Sequence, residues 1–217
     1  MKYILFAIVS ILTSLILVAC GGNPAQDVYE HLELAVELEQ PFEEQQQPLY
    51  QAEERENELF EEIITVGTGE LSEIEPLVEE ALESIESRLL MVEIEEESIN
   101  VSFEEFNEIE QYKEQIAQTE LEQAFTALLD TMNSRYEDYQ LLNEAYKDAA
   151  EADKKLFESF LDEELTFEQL QEYVDTVNEK YAEVDQYTQS FNEATDLYNE
   201  KKRAFYEAAD LNISYES

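Results

Sequence analysis

Residues 166–206 read TFEQLQEYVDTVNEKYAEVDQYTQSFNEATDLYNEKKRAFY. Leu170, Val177, Val184, Phe191, Tyr198 and Phe205 recur every seventh residue, so one apolar stripe runs the length of a helix. Thr166 with Gln169 three residues later has the spacing of a capping box, which marks where the helix starts. A stripe this narrow and this long is stable only against other helices, packed close to antiparallel.

The same seven-residue spacing runs through the chain from Val28. Val28, Ala35, Phe42, Leu49 and Ile63 share one register, which ends at Gly67 and Gly69. Pro41 and Pro48 fall within it, and each removes an amide donor, so kinks or a break are expected there. A second segment opens at Ser72-Glu73-Ile74-Glu75, again with capping-box spacing, and carries Val78, Ile85, Val92, Ile99 and Phe106. No Gly or Pro follows Pro76, so a reversal has to be found from the register. It slips after Ile116, and the next set is Leu121, Leu128, Leu142 and Leu156. The turn is expected at residues 117–120, where Thr119 and Glu122 form another capping pair; Ser102 with Glu105 is a weaker alternative. Four helices of about 43, 46, 44 and 44 residues result, rods of about 65 Å. The expected fold is all-α, an up-and-down four-helix bundle. A three-helix array with a very long middle helix is the alternative.

Composition agrees. Gly and Pro total 8 of 217 residues, where average usage gives about 26, which disfavours turn-rich sandwiches, propellers and Rossmann-type sheets. With 44% apolar residues the chain can bury enough side chain to fold. There are 54 Asp and Glu against 12 Lys and Arg, a net charge of −42. That balance excludes nucleic acid as a partner and opposes docking on anionic lipid by charge alone.

The N-terminus is different in kind. Met1-Lys2-Tyr3 precedes an uncharged run from Ile4 to Ala19, and then Cys20, the only cysteine. This has the form of a secretory signal, somewhat short for a spanning helix. Leu17-Val18-Ala19-Cys20 matches a lipobox, with a small residue at the cut and a thiol able to take a diacylglyceryl group by thioether formation. The expected organisation is a signal peptide at 1–19, a lipidated Cys20 with a flexible tether to residue 27, a helical bundle at 28–210 and a tail at 211–217. The protein is expected on the outer face of the cytoplasmic membrane, held there by its lipid. The lipid on Cys20 is the only cofactor expected.

Bundle cores often hold carboxylate-bridged metal pairs, but that motif needs Glu-x-x-His twice, and Val28 stands three residues before the single His31. Calcium loops, phosphate-binding loops and nucleophile triads lack their glycines or their base. No metal and no catalytic residues are expected. His31 is read as a rim residue and the glutamate runs 53–56 and 93–97 as solvated faces. Lys201-Lys202-Arg203 suits a helix C-terminus. Eighteen of the 24 aromatics lie from Phe103 onward, mostly as core, with the rest available to stack on sugar faces.

Two motifs carry a resemblance: Met132-x-x-Arg135-Tyr136-x-x-Tyr139, and Phe191-Asn192-x-x-Thr195-x-x-Tyr198-Asn199 leading to Lys201 and Phe205-Tyr206. With the lipobox and residues 81–106 they resemble the YkyA-like family of cell-wall-binding lipoproteins of Gram-positive bacteria, over essentially the whole mature chain. The resemblance implies an all-helical bundle and a non-catalytic role at the cell envelope, and it supplies no ligand residues. Arg135, Tyr136, Tyr139, Asn192, Thr195 and Asn199 form the candidate ligand surface. The expected partners are the membrane, through the lipid, and peptidoglycan or wall polymers, contacted directly or through divalent cations. Family helices carry more exposed lysine than this acidic chain, which argues against simple attraction to anionic polymers. The alternative is an acidic adaptor for a basic envelope protein. The registers specify no oligomeric state.

Overall fold

Asn23 opens the first helix: its Oδ1 accepts from the Ala25 amide at 3.2 Å, and Pro24 occupies the first turn, where a missing amide donor is harmless. The computed structural model describes residues 23–67, 71–116 and 118–211. The signal segment, with Leu17, Val18 and Ala19, lies outside the described residues, as do Cys20, Gly69 and residues 212–217.

Helix α1 spans Pro24–Leu38 and α2 spans Gln40–Val66. They are two pieces of one rod, broken at Glu39. Pro41 lies in the first turn of α2, so the break falls where its missing amide donor is best tolerated, while Pro48 stays inside the helix. The rod begins four residues before Val28, so the stretch expected as tether is helical from Pro24, with Ala25 already buried. Gly67, at φ 87°, ends α2.

Helix α3 spans Leu71–Asn107 and tightens into a 3₁₀ segment over Glu108–Gln115. Helix α4 follows at Thr119–Ser159, so the chain reverses within the expected window without a glycine or proline, and the three-helix alternative does not arise. Ser72 and Thr119 stand inside the first turns of α3 and α4 rather than capping them. Helix α5 spans Phe167–Ala208, and its capping box is the expected one: Thr166 Oγ1 accepts from the Gln169 amide at 3.2 Å, and the Gln169 side chain accepts from the Thr166 amide at 2.9 Å.

The four rods run alternately up and down. One end gathers the start of α1, the end of α3, the start of α4 and the end of α5 around Leu32, Phe106, Phe125 and Phe205. The other gathers the end of α2 with α3 and α4 around Leu59, Ile63, Ile85 and Phe160. Between these apolar ends the core is mixed. Helix α5 packs along α4, and α1 and α2 pack on α3. Backbone approaches between the first rod and α5 are few among the described residues. Among those residues no helix is long and apolar enough to cross a membrane.

Candidate functional site

Among the described residues, three of the four rods bury polar side chains. On α3 the buried positions 74, 78, 81, 85, 88, 92, 95, 99, 102 and 106 alternate steps of four and three, with Arg88, Glu95 and Ser102 among them, and Ser98 is buried beside the stripe. On α4 the same alternation brings Arg135 and Asp153 inward. Two of the chain's four arginines are therefore buried in the bundle, where a charge persists only if it is paired and hydrogen-bonded.

Arg135 reaches across to the break in the first rod. Its two terminal nitrogens donate to the two carboxylate oxygens of Glu39, both at 2.7 Å, and its Nε donates to Thr195 Oγ1 on α5 at 3.0 Å. The guanidinium lies over the rings of Phe191 and Tyr198, 4.9 and 6.0 Å from their centroids. Ser102 donates to Glu39 Oε1 at 2.9 Å. Ser98 completes the device: its hydroxyl donates to the Leu38 carbonyl at 2.7 Å and accepts from the Phe42 amide at 3.3 Å. A continuous helix would bond those two backbone groups to each other. The serine is inserted into the ladder, and this insertion with Pro41 accounts for the break.

The second network surrounds Arg88, which is 0% exposed. It contacts Glu56 Oε2 at 2.9 Å, Asp153 Oδ2 at 2.7 Å and Glu53 Oε1 at 3.3 Å, and donates to the Tyr181 and Tyr146 hydroxyls at 2.8 and 3.2 Å. Those hydroxyls donate onward, Tyr146 to Glu53 and Tyr181 to Asp153. Burial pushes the Glu56 carboxyl up to about 7, only partly offset by Arg88 and the Ser84 hydroxyl. It also raises Asp153 and the phenols of Tyr146 and Tyr181. Glu95, between the two networks, is pushed up to about 8 by burial, although Gln46 donates to it at 2.5 Å.

The seam between the first rod and α5 stays open as a groove of about 660 Å³. Met132, Arg135, Tyr139 and Asn143 of α4 form part of its floor, Glu39, Phe42 and Gln46 one wall, and Thr188, Phe191 and Thr195 the other. Asn192 and Asn199 stand exposed at the α5 lip, and Tyr50 at the opposite lip is 57% exposed. Past the groove the seam closes at the terminal end, where Glu33 accepts from Tyr206 at 2.7 Å and Lys202 at 3.2 Å. Burial opposes ionisation of Glu33, but those two partners outweigh it and hold its pKa below the ordinary value.

Five of the six candidate ligand residues, Arg135, Tyr139, Asn192, Thr195 and Asn199, line this one groove. Tyr136 does not. It faces α3, stacked on Phe103 with centroids 3.9 Å apart and its hydroxyl donating to Asn100. Arg135 and Tyr139 form floor rather than surface, being 4% and 1% exposed. The two glutamate runs are not wholly solvated faces, since each turns one member, Glu56 or Glu95, into the core. His31 sits half-buried on the rim, its Nδ1 2.6 Å from Glu105. Lys202 joins α5 to α1 through Glu33 as well as standing near a helix end.

Glu39, Glu53, Arg88 and Asp153 were not among the residues expected to matter. Their signal lies in the heptads: charged residues standing in or beside stripes that are otherwise mostly apolar.

Comparison with known proteins agrees with this architecture. Residues 23–208, which include all four rods and both networks, match a family, YkyA, described as "putative cell-wall binding lipoprotein". The chain is 32% identical over 201 residues to the uncharacterized lipoprotein YkyA of Bacillus subtilis (strain 168), covering 92% of this chain and 90% of that one. It is also similar in fold to a conserved protein of unknown function from Staphylococcus aureus, known from a crystal structure, with a TM-score of 0.75. That similarity covers 83% of this chain and 91% of the other, at 16% identity, and speaks to fold alone. A match over nearly the whole described chain, joined to a relative at this identity and coverage, identifies the protein's kin: it belongs to the YkyA family.

Proposed function

We propose that this protein is a non-catalytic, lipid-anchored envelope module that binds the cell wall through the groove between its first rod and α5. The observation that carries the reading is the groove: a long opening on the seam between the first rod and α5, with aromatic and amide groups along it. Aromatic faces and amide lips are the groups that hold saccharides and short peptides, by stacking and by paired hydrogen bonds. The polar groups of the floor are tied to one another, Arg135 to Glu39 and Thr195. Such an arrangement holds the floor in a fixed shape. The lipobox supports attachment through a diacylglyceryl group on Cys20, three residues ahead of the Asn23 cap. On that reading the bundle stands on the outer face of the cytoplasmic membrane and its rods, about 65 Å long, reach toward the wall.

The test is co-sedimentation of residues 21–217 with purified sacculi, with and without teichoic acid, across salt and with calcium or a chelator. Saturable binding to stripped sacculi that survives salt is the expected result. Binding only with teichoic acid and calcium points to ion bridging through carboxylates. A second reading, an acidic adaptor for a basic envelope protein, is favoured by exposed carboxylates such as Glu58, Glu61 and Glu62 on α2. Absence of sacculus binding, together with a partner released by salt, establishes the adaptor instead.

A further inference from the structure

Tyr198 of α5 lines the groove between the Arg135–Glu39 fork and the closure made by Lys202 and Glu33. It is 5% exposed, and its ring is held against Phe106 and the Arg135 guanidinium, each 6.0 Å from its centroid. Among the described residues its hydroxyl has no hydrogen-bond partner. The side-chain atoms among those residues that are both sealed and unpartnered are Glu56 Oε1 and Arg88 Nε, so the Tyr198 hydroxyl is not sealed and opens on the groove that the residue lines. Burial, together with the Glu39 and Glu33 carboxylates, raises its pKa against the opposing pull of Arg135, so the hydroxyl stays protonated and able to donate. A polar group held this firmly and left unpaired at the floor of an open groove calls for an acceptor on a ligand.

The surroundings define that acceptor. The two basic side chains that line the groove are already paired, Arg135 with Glu39 and Lys202 with Glu33, so nothing there favours a phosphate or a carboxylate. Glu39 and Glu33 in turn hold donors from Arg135, Ser102, Tyr206 and Lys202, so beside Tyr198 nothing favours an ammonium either. What remains near the hydroxyl is a small apolar surface of Ala35, Val36 and Met132, and the side-chain amide of Asn199 at the lip. We propose that this part of the groove holds the acetamido group of an N-acetylated sugar. Its carbonyl accepts from Tyr198, its N–H donates to the Asn199 amide oxygen, and its methyl lies on Ala35, Val36 and Met132. The groove continues past Gln46 to the exposed ring of Tyr50, about 20 Å further along the first rod, so the following sugars of a linear chain meet an amide and an aromatic face. This assignment rests on the groove being the wall-binding site, and it names the part of the wall bound there: the acetylated glycan, not the anionic polymers.

The experiment is calorimetric titration of the full chain, in a detergent without a sugar headgroup, with chitotetraose and with cellotetraose, which carries a hydroxyl in place of each acetamido group. Saturable 1:1 binding of chitotetraose is expected, at least tenfold tighter than that of cellotetraose. Tyr198→Phe is expected to weaken it at least fivefold with the melting temperature unchanged, because the hydroxyl holds nothing within the protein. Val36→Trp, which fills the same part of the groove from a position 48% exposed, is expected to abolish it. Equal binding of the two sugars, or no loss in Tyr198→Phe, overturns the proposal. Co-sedimentation with sacculi separates this result from the wall-binding reading. Sacculi held equally by the natural chain and Tyr198→Phe, with no preference for chitotetraose, overturn the acetamido assignment and leave wall binding standing. Chitotetraose bound through Tyr198 without any binding of sacculi supports the assignment and removes the wall.

Discussion

Arg135 on α4 grips both carboxylate oxygens of Glu39, each at 2.7 Å, and Glu39 is the residue at which the first rod breaks. A buried fork of this kind ties the bend to the opposite helix. Removing one partner of a fully buried ion pair costs about 3–5 kcal/mol, because the other charge is left without compensation, and Glu39, 19% exposed, places this pair at the low end, about 3 kcal/mol. Arg135→Met is therefore expected to lower stability by about that amount in urea unfolding. The double variant with Glu39→Met recovers most of the loss, and Arg135→Lys falls between, since an ammonium cannot form the fork. Equal losses in the single and double variants would contradict the pairing as the source.

Ser98 offers a sharper probe of the break. Ser98→Ala leaves the Leu38 carbonyl and the Phe42 amide without their bridging hydroxyl, at a cost of about 1–3 kcal/mol. Amide exchange at Phe42 should accelerate beyond what the global destabilisation explains. Unchanged protection at Phe42 means that the ladder closes on its own.

Acidity should stabilise this protein over a window in which many proteins are indifferent. Burial lifts Glu95 to about 8 and Glu56 to about 7, from an ordinary 4.5. Between about pH 4.5 and 8 the folded chain then holds more protons than the unfolded one, so stability falls as pH rises, by up to about 1.4 kcal/mol per pH unit for each group. Urea midpoints at pH 5 and pH 8.5 check the sign. Glu95→Gln keeps a neutral side chain there, so it should flatten the curve and raise stability at pH 8.5. A midpoint that climbs from pH 5 to 8.5 contradicts the assignment.

Arg55 supplies the contrast. It pairs with Glu58, Glu62 and Glu80 at 2.8–3.1 Å, but on the surface, its side chain 38% exposed. Exposed pairs contribute about 0–1 kcal/mol each, screened by salt. Arg55→Ala should cost less than about 1 kcal/mol, and less still in 1 M salt, where Arg135→Met keeps most of its effect.

Much of the fold is legible in periodicity. The heptads from Leu170 to Phe205 and from Val78 to Phe106 define straight rods, and Pro41 marks the break. The reversal near residue 117 shows only as a slipped register, because the chain turns there through a tightened helix and not through glycine. The interior chemistry was less accessible. In the register Val28, Ala35, Phe42, Leu49 and Ile63 the missing member is Glu56, and a gap in a stripe does not tell which side chains on three other helices will meet it. Five of the six candidate residues share a groove because 192, 195 and 199 fall on one face of α5, and 135 and 139 lie four apart on the facing stripe of α4. Tyr136, one residue on from Arg135, is turned by about 100° to the other side.

The proposed contact of the open seam with the wall is tested most directly by Thr188→Trp. Thr188 lies half-buried on the groove wall, with no part in either ion network. The large ring fills the groove and leaves Arg135, Glu39 and the Arg88 cluster intact. Co-sedimentation with sacculi is predicted to be saturable for the natural chain and at least tenfold weaker for Thr188→Trp, with both melting at the same temperature. Equal binding by the two proteins would contradict the account.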